Sequence, residues 1–444
     1  MKAVFLCGGI GKRMFPISED KFLLKFLGKT LLEHQIEMAK KVGLTEFLIV
    51  GNPQNIASIE RIVAYGPLIK AELVIQREPL GIANALESAS QFLNSEIIVV
   101  NPNDVFEISA YTRLLEARRA NSATSYLLGR EVSDYFPGGY LVVGEGGELR
   151  RIIEKPGRGK EPSNLVNILV HLHTDPKRLL EYAETVQSTK NDIYERAVDD
   201  MVKGGCKIKV VPYAGYWAPI KYPWHIFSVV RRFLDESEGY VSPSAYISDK
   251  AVIEGKVLIG DNVRVFENAV IRGPVYIGPN SVIGNSSLVR DYSHIGPGCV
   301  VGYSTEVKGS YIGDGCWFHM SYIGDSIIAE GCSFGAGTVL ANFRSDEASI
   351  KIRVLGEVID TGQDKLGAIM GSNSKTGINA SIMPGIRIGP NSIVGPHVCL
   401  TEDLEPGKLA VAEPRYRVIT NMAGLENKEK VNARKRLERL QCAE

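Results

Sequence analysis

Two stretches of this chain hold residue types and spacings that could do chemistry. Residues 7–16 read CGGIGKRMFP directly after an apolar run. Gly8, Gly9 and Gly11 would let backbone N–H groups approach a phosphate closely, and Lys12 and Arg13 add positive charge beside it. The loop is not a Walker motif, since no Gly-Lys-Ser/Thr ends it. Its neighbours sharpen the reading: Lys21 follows eight residues after Arg13, Gln76 and Gly81 stand in QREPLGIANA, and Asn103-Asp104 follow IIVV. The second stretch centres on His319 in GCWFHMSYIGDS. A neutral imidazole can take a proton from an attacking amine or hydroxyl, which acyl transfer from a thioester requires. Asn342 could orient or bind the substrate, with Lys308, Tyr322 and Lys365 supplying charge and hydrogen bonds from adjacent coils.

The elements that must position these residues follow two different periods. Up to about residue 230, short apolar runs at 3–6, 46–50, 72–75 and 96–100 alternate with helical stretches at 30–42 and 84–93. That alternation predicts βαβ units, an α/β domain with a mainly parallel sheet, and ligands beyond the carboxyl ends of the strands. From Val241 an aliphatic residue recurs every six positions: Val241, Ile247, Ile253, Ile259, Val265, Ile271, Ile277, Ile283, Val289, Ile295, Val301 and Val307. A period of six fits neither a helix nor a half-buried strand, and predicts a parallel β-helix with one short strand per repeat. The rhythm slips by one residue before Ile312, Ile323 and Ile328, and returns at Met370, Thr376, Ile382, Ile388, Val394 and Leu400. Between them an insertion at 343–368 is too polar and irregular to be a coil, and inserted loops on solenoids tend to be functional.

The expected organisation is therefore residues 1–230 as the first domain, a linker at 231–240, the β-helix at 241–420 with its inserted loop, and a charged tail at 421–444. The tail's basic, helical pattern NKEKVNARKRLERL from Asn427 suggests a cap or extension of the solenoid. Lys and Arg balance Asp and Glu to a net charge of zero, which argues against a general claim on nucleic acid or an anionic membrane. Seven cysteines are scattered singly, without a disulfide framework. No apolar run reaches the roughly 18 residues of a membrane span, and no leader precedes the first strand, so a cytoplasmic protein is expected.

Residues 1–230 resemble the sugar-1-phosphate nucleotidylyltransferases, whose Rossmann-like domain opens G-G-x-G-x-R-[ML], then P-K-x-[LM], then G-K-[PT]-[LM]-[LIV]-[ED]-H. The resemblance implies that Gly8, Gly9, Gly11 and Arg13 hold a triphosphate and that Lys21 neutralises the reacting phosphates. It further implies that Gln76 and Gly81 read the base, that Asp104 binds Mg²⁺, and that Gly139, Glu154 and Lys155 contact the sugar. The implied reaction is in-line attack by a sugar-1-phosphate on the α-phosphorus of an NTP, UTP or dTTP, with release of pyrophosphate. Three positions depart from the pattern. Trp217-Ala218-Pro219-Ile220 has a proline where W-x-D-[IV] has a second metal-binding aspartate, Lys12 replaces a threonine, and Leu165-Val166-Asn167-Ile168 replaces N-T-G-[IL].

The stretch around His319 resembles the acetyltransferase half of the bifunctional GlmU enzymes and their archaeal relatives, through Phe318-His319, Tyr322, Gly324-Asp325, Gly335 to Thr338 and Asn342. The resemblance implies a left-handed β-helix, His319 as general base, and Lys308, Tyr322, Asn342 and Lys365 around an amino sugar. Ala336 would line an acetyl-CoA cleft between subunits of a homotrimer. One departure is that Gly296 stands where the bacterial enzymes carry a phosphate-binding arginine. The leading reading is N-acetylation of a hexosamine-1-phosphate coupled to nucleotidyl transfer. The alternatives are a monofunctional nucleotidylyltransferase with a scaffold β-helix, and a catalytically weak regulatory subunit that binds nucleotide sugars.

Overall fold

A computed structural model describes residues 1–66, 70–413, 417–420 and 428–441. Residues 1–411 form one compact unit, and 412–444 a second. The first strand, β1 (Lys2–Leu6), leads into the glycine loop. Helix α1 (Leu31–Lys41) starts from a capping box in which Thr30 and Glu33 satisfy each other's backbone N–H groups. β2 (Glu46–Gly51) and β3 (Lys70–Ile75) follow, then α2 (Ile82–Ser88), which stops five residues short of the expected end, and β4 (Ile97–Val100). The order β4-β1-β2-β3 is parallel throughout, so all four carboxyl ends open on one side. β5 (Asp104–Phe106) continues from β4. β6 (Gly139–Val143), β7 (Leu149–Glu154) and the long β8 (Leu165–His173) extend the sheet beyond β4 in antiparallel pairs. Parallel order thus holds for the four strands that carry the phosphate loop, and reverses at β8. β9 (Trp217–Pro219) pairs with β5 and places Pro219 opposite Asp104.

Helix α3 (Ile226–Glu236) runs through most of the stretch expected to be linker. Its Val229, Val230 and Leu234 are buried, which a flexible connection could not do. The hexad repeat then builds three parallel sheets of eight, nine and eight strands. Each hexad aliphatic from Ile259 to Val307 is fully buried along the axis. Phe318, Phe334 and Leu340 fill the axial positions between the slipped repeats; the first two stack with ring centroids 4.7 Å apart. An aromatic can thus occupy the aliphatic position where a turn loses a residue, a substitution that an aliphatic count passes over. The scattered cysteines also acquire an order: Cys299, Cys316 and Cys332 each direct a thiol at a carbonyl of the next turn, Gly313, Ala329 and Gly371 respectively.

The insertion is ordered. Lys351–Val354 and Glu357–Asp360 form an antiparallel hairpin, and Ile350, Ile352, Val354 and Leu366 are buried in a cluster with Trp224, Val230, Tyr276 and Tyr311. It therefore packs across the junction of the two halves. In the tail, Lys428–Gln441 is helical as expected, while 421–427 and 442–444 lie outside the described residues. No helix among the described residues is long and apolar enough to cross a membrane.

At the junction, Phe26 meets Tyr311, His294 and Phe233 with centroid separations of 5.8, 6.5 and 5.5 Å, and the His294 ring lies between Tyr276 and Tyr311. The Leu27 N–H donates to His294 Nε2 at 3.1 Å, so that nitrogen must be unprotonated. Burial lowers the pKa of His294 to about 4. The unfolded chain binds a proton there below its ordinary value near 6.5, so the native state is fully favoured above that pH and loses ground as pH falls towards 4. His294→Phe should reduce the stability difference between pH 7 and pH 5 by on the order of 2 kcal/mol, read by denaturation at both pH values.

Candidate functional site

The first site is assembled from the carboxyl ends of β1 to β4. After β1 the glycine loop turns through a short helical turn at Lys12–Met14, with Gly9, Lys12 and Arg13 exposed. Gly8 lies against the Gln76 side chain, where a Cβ would clash, while Gly9 has open space around it. Gln76 is buried and donates its amide hydrogens to the Gly81 carbonyl at 3.0 Å and to Asn84 at 2.9 Å. Gly81 sits at φ +100°, in the left-handed half of the map that side chains avoid. Asn52 and Asn55, just past β2, hold this loop: Asn52 Nδ2 donates to the Gly8 carbonyl at 3.3 Å, and Asn55 Nδ2 to the Cys7 carbonyl at 2.9 Å and Asp20 at 2.7 Å. Neither asparagine was singled out from sequence, although GNPQN after a strand was a findable signal.

Lys21 extends past Gly11 and donates to the Ile220 carbonyl at 2.9 Å. Its pKa is lowered by burial, with Asp104 opposing and Arg13 reinforcing the shift. Asp104 accepts from Trp217 Nε1 at 2.9 Å and from Asn101 Nδ2 at 3.0 Å. Burial raises its pKa, against Trp217, Lys221 and Lys21. Lys21, Asp104 and Arg13 thus share one field.

The sugar side is built on β6 to β8. Gly139 is paired with Glu154 in register and its Cα faces Glu154 and Asn167, so any side chain there would fill the space between them. Lys155 pairs with Glu154 at 2.5 Å and holds a left-handed φ of +44°, a strain that functional sites often store. Beside them Glu154, Lys155, Asn191 and Glu195 line a cavity of about 150 Å³. Burial, aided by Glu154, raises the Glu195 pKa to about 8. Beneath Asn167 runs a buried chain in which one pattern of donors satisfies every atom. Ser125 donates to His173 Nδ1 (2.8 Å), His173 Nε2–H to Tyr194 (2.8 Å), Tyr194 to His171 Nδ1 (2.6 Å), and His171 Nε2–H to Asn167 Oδ1 (2.7 Å). This orients the Asn167 amide with its N–H₂ left for a ligand.

The second site lies on the β-helix. Lys308 is paired with Asp325 at 2.7 Å, and Asn342 Nδ2 donates to Asp325 at 2.5 Å and to the Tyr322 hydroxyl at 3.2 Å. One coil below Lys308 and in register with it stands Arg290, ion-paired to Glu306 at 2.7 Å. Two cations thus lie 18 residues apart in sequence and adjacent in space, Arg290 held by Glu306 and Asp291 and Lys308 by Asp325. Lys365 faces the Phe343 ring, and lines a small cavity with Asp325 and Arg231. His319 is exposed at a corner, where the flanking turns carry Gly302 and Gly335, and stands three residues before Tyr322. Ala336 sits one turn on, next to Gly337, whose N–H bonds the Met320 carbonyl.

Residues 2–217 match the nucleotidyl transferase family, and 256–291 and 367–402 the bacterial transferase hexapeptide repeat. A bifunctional protein GlmU of Methanococcus maripaludis is 36% identical over 91% of this chain and 96% of its own length. A bifunctional sugar-1-phosphate nucleotidylyltransferase/acetyltransferase of Sulfurisphaera tokodaii is 33% identical over 92% of this chain and 99% of its own. The chain belongs to the bifunctional GlmU family. It is an enzyme that joins a nucleotidyl transferase to a hexapeptide-repeat acetyltransferase, and its β-helix is of the left-handed kind. Family membership brings an NTP, a sugar-1-phosphate and acetyl-CoA as substrates, and a metal ion in general terms.

For the metal, the donor set of this GlmU relative fits poorly. No group of three or more His, Cys, Asp or Glu among the described residues could hold one by itself, and Asp104, each of whose oxygens accepts one hydrogen bond, would hold an ion only together with substrate phosphates. Opposite Asp104 stands Pro219, which has no donor atom in its side chain. The expectation of Asp104 as a Mg²⁺ ligand therefore lacks its companion. A separate prediction concerns the loop clamp: Asn55→Ala leaves the Cys7 carbonyl and Asp20 without their donor. It should cost about 1–3 kcal/mol of stability, read by chemical denaturation, and weaken nucleotide binding in calorimetry.

Proposed function

We propose that the first half transfers a nucleotidyl group from UTP or dTTP to a sugar-1-phosphate with release of pyrophosphate, after the second half has N-acetylated a hexosamine-1-phosphate from acetyl-CoA. The observation that carries the first reaction is the convergence of Gly8, Gly9, Gly11, Arg13 and Lys21 with Gln76 and Gly81 at the carboxyl ends of four parallel strands. Here the triphosphate lies along the glycine loop, and its base along Gln76 and Gly81. The sugar phosphate lies by Gly139, Glu154, Lys155 and Asn167. A phosphate oxygen of the sugar phosphate bonds to the α-phosphorus, the bond to the α,β-bridging oxygen breaks, and pyrophosphate leaves with the electron pair. Positioning and positive charge supply the rate, without a covalent intermediate.

In the second reaction Arg290 and Lys308 take the sugar phosphate, and Tyr322, Asn342 and Lys365 orient the amine. His319 removes the amine proton as nitrogen attacks the thioester carbonyl; coenzyme A leaves as thiol. The reading includes a homotrimer, which the exposed side chains of Tyr303, Trp317, Met320 and Ile378 near His319 support: each is more than half exposed and a second copy would cover it. The free thiols at all described cysteines favour a reducing compartment, the cytoplasm.

Lys21→Ala should abolish pyrophosphate release and leave acetyl transfer within twofold of the wild type. His319→Ala should lower acetyl transfer by about 10²–10⁴-fold while nucleotidyl transfer is kept. Both follow from coupled assays on purified protein with acetyl-CoA, UTP or dTTP, and glucosamine-1-phosphate. Unchanged acetylation in the histidine variant would remove His319 from its role and leave the β-helix as a scaffold.

A further inference from the structure

Lys221 follows β9 by two residues, and its side chain turns onto Phe136 and Pro137. Its ammonium lies 3.4 Å from the centre of the Phe136 ring and donates to the Pro137 carbonyl at 3.0 Å. Phe136 in turn packs on Trp217 at 4.8 Å, and Trp217 donates to Asp104. The charges acting on Lys221 are Asp104 and Arg13 from the triphosphate side, and Glu154 and Lys155 from the sugar side. Charged groups of both sides of the cleft thus act on this one cation. An ammonium carries three donors, and the Pro137 carbonyl takes only one. Meanwhile the strand that leads to Lys221 puts Pro219, whose side chain has no donor atom, opposite Asp104.

We propose that Lys221 is a catalytic residue of nucleotidyl transfer, its ammonium contacting the reacting phosphates and supplying the positive charge that the Asp104–Pro219 pair is not built to hold as a metal ion. The proposal rests on the nucleotidyl-transfer reading. As the sugar-phosphate oxygen bonds to the α-phosphorus and the α,β-bridging oxygen departs with its electron pair, negative charge grows on pyrophosphate. No proton has to move, so a fixed cation suffices. Phe136 and the Pro137 carbonyl aim the side chain, and Lys21, tied to the Ile220 carbonyl, holds the same strand from the other side.

Inorganic tripolyphosphate, measured by calorimetry in excess EDTA, tests the binding part without any assumption about base or sugar. Wild type should bind it without a divalent ion, Lys221→Met should bind at least tenfold more weakly, and Lys221→Arg should recover most of the affinity. Equal binding by wild type and Lys221→Met, or no binding by wild type until a divalent ion is added, would overturn the proposal. In pyrophosphate release, Lys221→Met should lower kcat at least tenfold with an unchanged thermal midpoint; an unchanged kcat counts against it. A third readout is Mn²⁺ binding to nucleotide-free protein by electron paramagnetic resonance. The double variant Pro219→Asp, Lys221→Gly should gain a site that wild type lacks, whereas a wild-type site lost in Asp104→Asn would overturn the proposal. A wild type that releases no pyrophosphate with any pair sinks the nucleotidyl-transfer reading instead, while tripolyphosphate and Mn²⁺ still decide whether Lys221 takes the place of a metal.

Discussion

The docking of Phe26 and Leu27 onto the Tyr276–His294–Tyr311 stack governs where the rest of the first site can be. Lys25 to Thr30 form a short hairpin immediately after the turn that carries Lys21. Phe26 is fully buried, Lys25 pairs with Asp314 at 2.5 Å, and Gly28 approaches the Tyr276 hydroxyl too closely for a side chain. The segment that carries Lys21 is therefore anchored on the β-helix, and the two halves share one core rather than a tether. His294 can serve there only as a neutral ring, because its Nε2 accepts from Leu27 and its Nδ1 is buried without a partner.

Burial also sets the electrostatics of the cleft. The chain is neutral overall, yet Arg13, Lys21, Lys155 and Lys221 converge on a space where Asp104 and Glu154 are the opposing charges. Desolvation presses Lys21 and Lys221 towards losing their protons and Asp104 towards keeping one. Anionic phosphates entering this space would relieve the repulsion among the lysines and the arginine. The cleft is thus prepared for anions by charges held apart by backbone, with carbonyls of Ile220 and Pro137 spending one donor from each lysine.

The β-helix solves a different problem. Each repeat buries one axial side chain, and the small residues at the turns face carbonyls of the next coil, so stacking satisfies polar groups that no single repeat could. Stacking also places in one column residues that the sequence separates by a coil, as it does Arg290 and Lys308. The inserted hairpin spends its apolar residues on the junction and returns Lys365 beside the Asp325 cluster.

Much of this was legible in the amino-acid order alone. Period six determined the solenoid, because only a coil that repeats every six residues keeps Val241 to Val307 on one axis. The glycine loop with Lys21, Gln76 and Asp104 was readable because each follows a strand in a parallel sheet, where strand ends share a side. Tertiary structure decided the rest. Arg290, Asn52, Asn55 and the His171–Tyr194–His173 chain depend on contacts between distant segments, which local pattern does not encode. The linker reading failed at α3 because its apolar face is matched by distant segments of both halves, among them Phe26 and Tyr311. Lys221 shows the division most plainly: its neighbour Pro219 was visible as a missing ligand, but only the tertiary structure brings the lysine onto Phe136 under the influence of Asp104, Arg13, Glu154 and Lys155.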